Sequence, residues 1–365
     1  MLCDSQIRVP LPRRDLMQSP SQRPGRPGRR NFLKALAVAG VGGKTLLRSG
    51  NVKAAVDAAR TVASVDRWPE MPQRTLGRTG FAASRLVFGC GAALSRGRKD
   101  DLLHAAFDAG VNVFDVGFRD YYNDAEKNLA PFLKQVRSRV FLISKAYAEL
   151  DVEPNDRISP AQARHAAASW TKALDGSLRE LDVDHVDAYY LMASYSPALV
   201  GSHEILNAAS KAKQAGKFKH FGLSTHQNAS RVLATAAKTG VYDLAQIAIT
   251  PAGWYDWADK NILAGSPTMK NLHAELAEAR KAGIGLIGMK AGRFLAGRKF
   301  LGWGNPAAFD EYYDDPFMKS GFSPYQRSYA YVLEHGLDCV NADMQQLSHL
   351  AENFAAAATS GKYFV

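Results

Sequence analysis

The feature that most constrains this chain is a regular alternation of short apolar runs and amphipathic stretches after residue 75. The spacing predicts helices in segments such as DDLLHAAFDAG, SPAQARHAAASWTKALDGSLREL and SPYQRSYAYVLEHG. Eight intervening runs have strand composition: SRLVFGC, VNVFDV, VFLISK, HVDAYYLM, KHFGLS, DLAQIAI, IGLIGMK and LDCVNA. Because these runs are apolar throughout, they are typical of parallel strands covered on both faces. The sequence therefore predicts an α/β fold, a (β/α)8 TIM barrel.

A doubly wound parallel sheet is the structural alternative. It would need a glycine-rich dinucleotide turn after an early strand, and the sequence has none. Ahead of the first strand, the segment RTLGRTGF predicts a β-hairpin that turns at Gly77 or Gly80. In a barrel this hairpin could close the bottom.

The charge distribution separates a leader from the rest of the chain. Residues 1–60 hold twelve Lys and Arg against three Asp and Glu, and so carry +9 of the formal net charge of +11. The +2 that remains on residues 61–365 gives no basic field for nucleic acid. We therefore divide the chain into a leader and linker, 1–60, and a barrel domain, 61–365.

The leader contains an export motif. Residues 29–34 read Arg-Arg-Asn-Phe-Leu-Lys and precede the mildly apolar ALAVAGVGG, which together resemble a twin-arginine (Tat) signal peptide. The apolar stretch is shorter than the roughly 18 to 20 residues of a membrane-spanning helix, so we expect no permanent membrane anchor. The resemblance implies passage through the twin-arginine translocase to the periplasm or another extracytoplasmic space. The alternative is a basic amphipathic helix with an accidental arginine pair.

Cysteine usage excludes several kinds of site. Only Cys3, Cys90 and Cys339 are present, without a C-x-x-C pair, so neither a disulfide framework nor a four-thiolate zinc or iron–sulfur centre can form. We expect no metal and no iron–sulfur cluster. A disulfide between Cys90 and Cys339 stays open.

Polar residues at predicted strand ends indicate the chemistry, because active sites of such barrels lie where the strands end. Asp115 ends the second strand, Lys145 ends the third, and Tyr121 and Tyr122 lie in the loop between them. A lysine ammonium beside a tyrosine is expected to lower the pKa of the phenol. Such a group suits proton donation to a carbonyl oxygen while a hydride adds to the carbon.

These segments, in this order, resemble those of the aldo-keto reductases from Arg74 to Ala358. The resemblance rests on RTLGRTGFAASRLVFGCG, GVNVFDVGFRDYYNDAEKNL, VFLISK, GKFKHFGLSTH, IGLIGMK and LAENFAAA. It implies an oxidoreductase that interconverts carbonyl and alcohol groups of a small carbonyl compound or a sugar-like substrate. The leader motif implies that this enzyme is exported. Asp115, Tyr122 and Lys145 would be catalytic, with Tyr121 as the alternative acid.

The resemblance also implies a nicotinamide cofactor, NADP(H) in preference to NAD(H), although Lys362 is the only Lys or Arg after Arg327. Because the twin-arginine route carries proteins that are already folded, a protein exported by it can leave the cytoplasm with its cofactor bound. The resemblance implies cofactor-binding roles for Ser224, Gln246, Lys290, Glu352 and Asn353, and for Thr225, which stands where the family has Asn but can still form a hydrogen bond.

The sequence departs from the family pattern on the fourth strand, where a histidine is replaced by Met192. A thioether cannot donate the hydrogen bond by which an imidazole orients a carbonyl. His226 is a conceivable substitute, but a lone histidine near a barrel mouth is more typical of a solvated loop. Thr250 lies where the family often has Asn. The departures motivate a second hypothesis, a catalytically silent barrel that binds or senses a ligand, and a third, redox-neutral chemistry on a sugar-like ligand.

Two loops are expected to shape a substrate pocket. The loop from Pro251 to Met269 carries Trp254, Tyr255 and Trp257, which either wall a cavity or pack over the barrel rim. The insertion from Arg293 to Phe322 is aromatic and glycine-rich, and long loops on this face are often lids.

Overall fold

The computed structural model describes residues 69–295 and 304–362. Eight parallel strands close into a barrel in which each strand pairs with the next one along the chain and the last pairs back to the first. The predicted (β/α)8 barrel is confirmed, and the doubly wound sheet is wrong because the sheet has no open edge between these strands. The barrel strands are β3 (Leu86–Gly89), β4 (Val113–Asp115), β5 (Phe141–Ala146), β6 (Val186–Leu191), β7 (Phe218–Thr225), β8 (Leu244–Thr250), β11 (Gly285–Met289) and β12 (Cys339–Asp343).

Helices cover the outside of the barrel, and two of the longer ones begin with capping boxes. The hydroxyls of Ser159 and Ser323 each accept a hydrogen bond from the backbone of the glutamine three residues later, and a proline follows each serine. The helices are α1 (Cys90–Leu94), α2 (Asp100–Asp108), α3 (Arg119–Tyr122), α4 (Ala125–Val136), α5 (Pro160–Leu181), α6 (Pro197–Val200), α7 (His203–Gln214), α8 (Ala229–Thr239), α9 (His273–Lys281), α10 (Asp315–Met318), α11 (Pro324–Glu334) and α12 (Leu347–Thr359).

A hairpin closes the bottom of the barrel, as the sequence predicts. Strands β1 (Gln73–Thr75) and β2 (Ala82–Ser84) pair antiparallel, and Gly80 in the turn has a φ of 71°. Leu76 and Ala83 are fully buried among barrel residues such as Val113 and Ile287. The open end is therefore the opposite one, where the strands finish.

A second hairpin extends β8 beyond the barrel rim. Strand β9 (Gly253–Asp256) runs antiparallel to β8, and β10 (Asn261–Ile262) pairs with β9. The Thr250 hydroxyl donates to the carbonyl of Gly253 within this turn. This second hairpin places aromatic side chains above the strand ends.

The predicted leader lies outside the described residues, and with it the export motif. No helix in the described part of the chain combines the length and apolar character needed to cross a membrane. Cys90 and Cys339 are buried free thiols, so the disulfide left open between them is not formed. Within the same ranges, no three His, Cys, Asp or Glu side chains group as metal ligands.

Candidate active site

Asp115 and Lys145 form a buried ion pair at the open end of the barrel. They lie on the neighbouring strands β4 and β5, and each is 3% exposed. The Lys145 ammonium donates to both carboxylate oxygens of Asp115 at 2.6 Å and to the carbonyl oxygen of Val116 at 2.7 Å. These three bonds use all three ammonium protons, so the lysine is held in one position.

Two side-chain amides also donate to the Asp115 carboxylate. Asn341 reaches it from β12, and Gln246 reaches it from β8 at 3.4 Å. Gln246 is the third residue of β8 and lies inside the strand, because β8 continues toward the second hairpin. Asn341 was not predicted from the sequence; its signal was an amide between the apolar residues Val340 and Ala342 of the last strand.

The structure separates the two candidate tyrosines. Both lie on α3, but Tyr121 is 38% exposed, whereas the Tyr122 ring packs between the backbones of Gly91 and Gly117. A Cβ on Gly91 would come within 2.3 Å of this ring, so only glycine leaves room for it. The ring centroid lies 5.7 Å from the Lys145 ammonium. Tyr122 is thus the tyrosine placed beside the ion pair.

The expected effect of Lys145 on this phenol is wrong. Burial raises the pKa of Tyr122 well above its ordinary value, and the nearby Asp115 carboxylate raises it further. The reason is that Lys145 directs its protons to Asp115 and Val116 rather than to the phenol. Tyr122 therefore keeps its proton at neutral pH and can donate it.

The predicted cofactor-binding residues on β7 and β8 divide into two groups. Ser224 and Gln246 face each other across the β7–β8 pairing, and both are buried. Gln246 places its amide nitrogen 3.6 Å from the Met289 sulfur, while its buried amide oxygen has no hydrogen-bond partner within residues 69–295 and 304–362. The Thr225 hydroxyl instead donates to the carbonyl of Gln227 and does not join this group.

Glu352 and Asn353 lie on α12, away from the ion pair. Glu352 accepts a hydrogen bond from the hydroxyl of Ser323 at the start of α11, and burial raises the pKa of its carboxyl. Asn353 is 6% exposed. The two residues lie together, and their role in nucleotide binding stays a prediction.

Met192 lies where the sequence places it, whereas the environment of His226 differs from the expected one. Met192 directly follows β6 and is 4% exposed. His226 is not a solvated loop residue: its ring packs edge-on against Trp257 at 5.8 Å. Burial, followed by the charges of Lys290 and Lys145, lowers the pKa of His226 to about 3. The imidazole is therefore neutral at physiological pH and stands at the barrel mouth.

The aromatic residues of the second hairpin serve two purposes. Trp254 is buried in the main core, and its indole nitrogen donates to Glu275 on α9 at 3.3 Å. Tyr255 and Trp257 instead pack near each other and near Met289 at the barrel mouth. Only the second pair fits the predicted pocket wall.

Lys290 directly follows β11 and adopts a left-handed backbone conformation, with a φ of 70°. This conformation costs a non-glycine residue about 1 kcal/mol. The Lys290 ammonium lies 5.3 Å from the centre of the Trp257 ring. The backbone thus turns the lysine toward the hairpin aromatics.

The described parts of the expected lid pack against the barrel. Phe309 is 2% exposed and contacts the ring of Phe294 edge-on at 6.0 Å. Phe317 on α10 is equally buried. Arg293–Leu295 and 304–322 are therefore anchored, while residues 296–303 lie outside the described ranges.

The comparisons bear directly on this barrel. Residues 86–264 match the model of the aldo/keto reductase family. This stretch, 179 of the 365 residues, is similar to that family. The match spans Asp115, Lys145 and Gln246, and ends two residues after β10.

Two curated proteins resemble part of the chain. The first is a 6-dehydroglucose reductase of Novosphingobium aromaticivorans, 28% identical over 165 residues, which are 41% of this chain and 50% of the relative. The second is the aldo-keto reductase yakc, named with NADP(+), of Schizosaccharomyces pombe, 27% identical over 163 residues, 42% of this chain and 45% of the relative. The chain spans about half the length of these relatives.

Solved aldo-keto reductases share the fold. A Klebsiella pneumoniae aldo-keto reductase in complex with NADPH superposes with a TM-score of 0.55 at 20% identity, covering 79% of this chain and 89% of that one. The holo form of a Bacillus halodurans aldo-keto reductase gives a TM-score of 0.56 at 18% identity, covering 78% and 90%. These matches extend the shared fold beyond the family match.

Proposed function

We propose that this protein is an exported NADP(H)-dependent oxidoreductase that interconverts a carbonyl group and an alcohol. The observation that carries the proposal is the placement of Tyr122 beside the Asp115–Lys145 ion pair at the open end of the barrel. The family match supports the reaction class. The names of the two curated relatives support a sugar-like carbonyl substrate and NADP(H).

The site has features that fit a nicotinamide. The buried amide oxygen of Gln246 has no hydrogen-bond partner among the described residues, and a carboxamide is a group that could donate to it. The Ser224 hydroxyl lies beside Gln246 in the β7–β8 register. These two residues would hold the carboxamide. The nucleotide, when bound, would supply the hydride that reduces the carbonyl carbon.

The protein's own residues manage the proton. In reduction, Tyr122 donates its phenolic proton to the carbonyl oxygen, which becomes the alcohol hydroxyl. The pKa of Tyr122 is raised by burial, so the phenol is protonated before the reaction. Lys145, fixed by Asp115, places a positive charge near the phenolate that forms and stabilises it.

Export sets a requirement on the cofactor. The space outside the cytoplasmic membrane has no general nicotinamide pool, so an exported reductase would carry its nucleotide from the cytoplasm and recycle it between two substrates. The motif at residues 29–34 supports export. We therefore expect folded protein recovered from the periplasm to release nicotinamide nucleotide on acid treatment, and protein without nucleotide would contradict retention.

The decisive experiment compares Tyr122→Phe with Tyr121→Phe in the full chain. Turnover of a panel of sugar and aldehyde substrates should fall by about 100-fold or more in Tyr122→Phe, since general acid catalysis contributes about 10²- to 10⁴-fold. NADPH binding, followed by quenching of tryptophan fluorescence, should be unchanged. Tyr121→Phe should keep its turnover, because that side chain is exposed. Equal losses in both variants would refute the assignment of Tyr122.

Met192 favours a second candidate function, a barrel that binds a ligand without turning it over. The buried thioether offers no hydrogen-bond donor at the fourth strand end. This function predicts nucleotide or ligand binding by the wild-type protein with no turnover of any substrate, and an unchanged biological phenotype in Tyr122→Phe.

A further inference from the structure

Two cations meet on one aromatic ring at the barrel mouth. The Lys290 ammonium lies 5.3 Å from the centre of the Trp257 ring, and the Arg293 guanidinium carbon lies 5.7 Å from it. The Tyr255 hydroxyl accepts a hydrogen bond from Nε of Arg293 at 3.3 Å. We call Lys290, Arg293, Trp257 and Tyr255 the rim cluster.

The rim cluster lacks the counter-charge that the neighbouring ion pair has. Among the described residues, no carboxylate lies within 4.0 Å of Lys290 or Arg293, whereas Lys145 is paired with Asp115 at 2.6 Å. The pKa of Lys290 is lowered by burial and then by the charge of Arg293, while Asp343 acts in the opposite direction. Lys290 is partly buried and Arg293 is exposed, so two like charges lie at the edge of the barrel mouth, where an anion between them would stabilise both.

The rim cluster lies next to the reacting groups. The ring of His226 contacts Trp257, and its pKa is lowered by burial and then by the charges of Lys290 and Lys145. The rim cluster joins β11 to the second hairpin, whereas Glu352 and Asn353 lie on α12. An anion bound there would belong to a molecule whose other end reaches Tyr122.

We propose that the rim cluster binds an anionic group of the substrate, so that the preferred substrates are carbonyl compounds that carry a carboxylate, such as sugar acids. The proposal rests on the proposed function, because it takes the carbonyl site at Tyr122 as given. Arg293 presents a planar fork that matches a carboxylate, and Lys290 adds a second positive charge. Trp257 orients both cations through its ring face.

The test uses matched pairs of acidic and neutral substrates with the full chain. The pairs are D-glucuronate with D-glucuronamide, and succinic semialdehyde with butanal. Wild-type protein should prefer each acid by about tenfold in kcat/KM, which corresponds to one charge-assisted hydrogen bond. Arg293→Gln should raise KM for the acids by about tenfold and leave the neutral compounds unchanged. Arg293→Lys should restore part of the preference, and Arg164→Gln, an exposed arginine on α5, is the control.

A cofactor phosphate is the other source of an anion, and the same variants distinguish it. If Arg293→Gln weakens NADPH binding about tenfold and changes acids and neutral compounds equally, the rim cluster serves the cofactor and the proposal is overturned. If no carbonyl compound is turned over, the proposed function fails separately. Quenching of tryptophan fluorescence by D-glucuronate but not D-glucuronamide, lost in Arg293→Gln, would then still support the anion site. Equal response to both compounds would refute it.

Discussion

Glu126 on α4 is a buried carboxyl whose removal should change how stability depends on pH. It is 1% exposed, and one of its oxygens accepts a hydrogen bond from the Ser144 hydroxyl at 2.5 Å. The other oxygen has no hydrogen-bond partner in the described residues. Burial outweighs the bond from Ser144 and raises the pKa of Glu126 to about 7. We choose Glu126→Gln as the perturbation.

The magnitude follows from the shift between unfolded and folded states. The folded pKa of Glu126 is raised from 4.5 to about 7, so the unfolded chain loses this proton first as pH rises. At 1.36 kcal/mol per pKa unit, the free energy of unfolding should fall by about 3 kcal/mol between pH 4.5 and 7, then level off. A glutamine cannot ionise, but its amide has one donor more than the protonated carboxyl of Glu126. Leaving that extra donor unsatisfied costs about 1 kcal/mol.

Urea unfolding of the full chain at pH 4, 5, 6, 7 and 8 checks this expectation. Glu126→Gln should be about 1 kcal/mol less stable than wild type at pH 4 and about 2 kcal/mol more stable at pH 8. The two curves should cross near about pH 5, where the loss in the wild type equals the cost of the amide. Glu278→Gln, an exposed carboxyl on α9, should follow wild type within about 0.5 kcal/mol. A constant difference between Glu126→Gln and wild type across the whole range would refute the reasoning.

Two further substitutions test the geometry at the barrel mouth. Gly91→Ala places a methyl group within 2.3 Å of the Tyr122 ring; the ring should move and kcat should fall about 100-fold, with the circular dichroism spectrum unchanged. An unchanged kcat would mean that the ring position does not matter. Asn341→Ala removes one donor from the Asp115 carboxylate and should lower kcat about fivefold, corresponding to about 1 kcal/mol, with KM unchanged. A rise in KM alone would show that Asn341 contacts substrate instead.

Much of the fold was predictable because its signals are local. The eight apolar runs became strands since burial on both faces of a parallel barrel leaves no room for polar alternation. Helix α8 was not among the segments singled out as helical, although its pattern was available. Its buried side chains, Ala229, Val232, Leu233 and Ala236, recur at the i, i+3, i+4, i+7 spacing of one helix face, and Gly240 marks its end.

The site was predictable only where neighbouring strands bring residues together. Asp115 and Lys145 followed from the order of β4 and β5. Asn341 did not, because its amide reaches Asp115 across a sequence separation of 226 residues that only barrel closure removes. The resemblance favoured Tyr122 over Tyr121, but the packing of its ring against two glycine backbones, which separates the two tyrosines, is visible only in the structure.

His226 shows how tertiary structure can change the environment that a sequence suggests. It comes two residues after Ser224, but its ring packs against Trp257 of the second hairpin, and burial, followed by the charges of Lys290 and Lys145, keeps it neutral. With a pKa of about 3, His226 stays in one protonation state from pH 5 upward. A change in activity between pH 5 and 8 would therefore have to come from another group. If such a change disappears in Glu126→Gln, its source is the titration of Glu126 on α4. The effect then reaches the site through Ser144 and its neighbour Lys145.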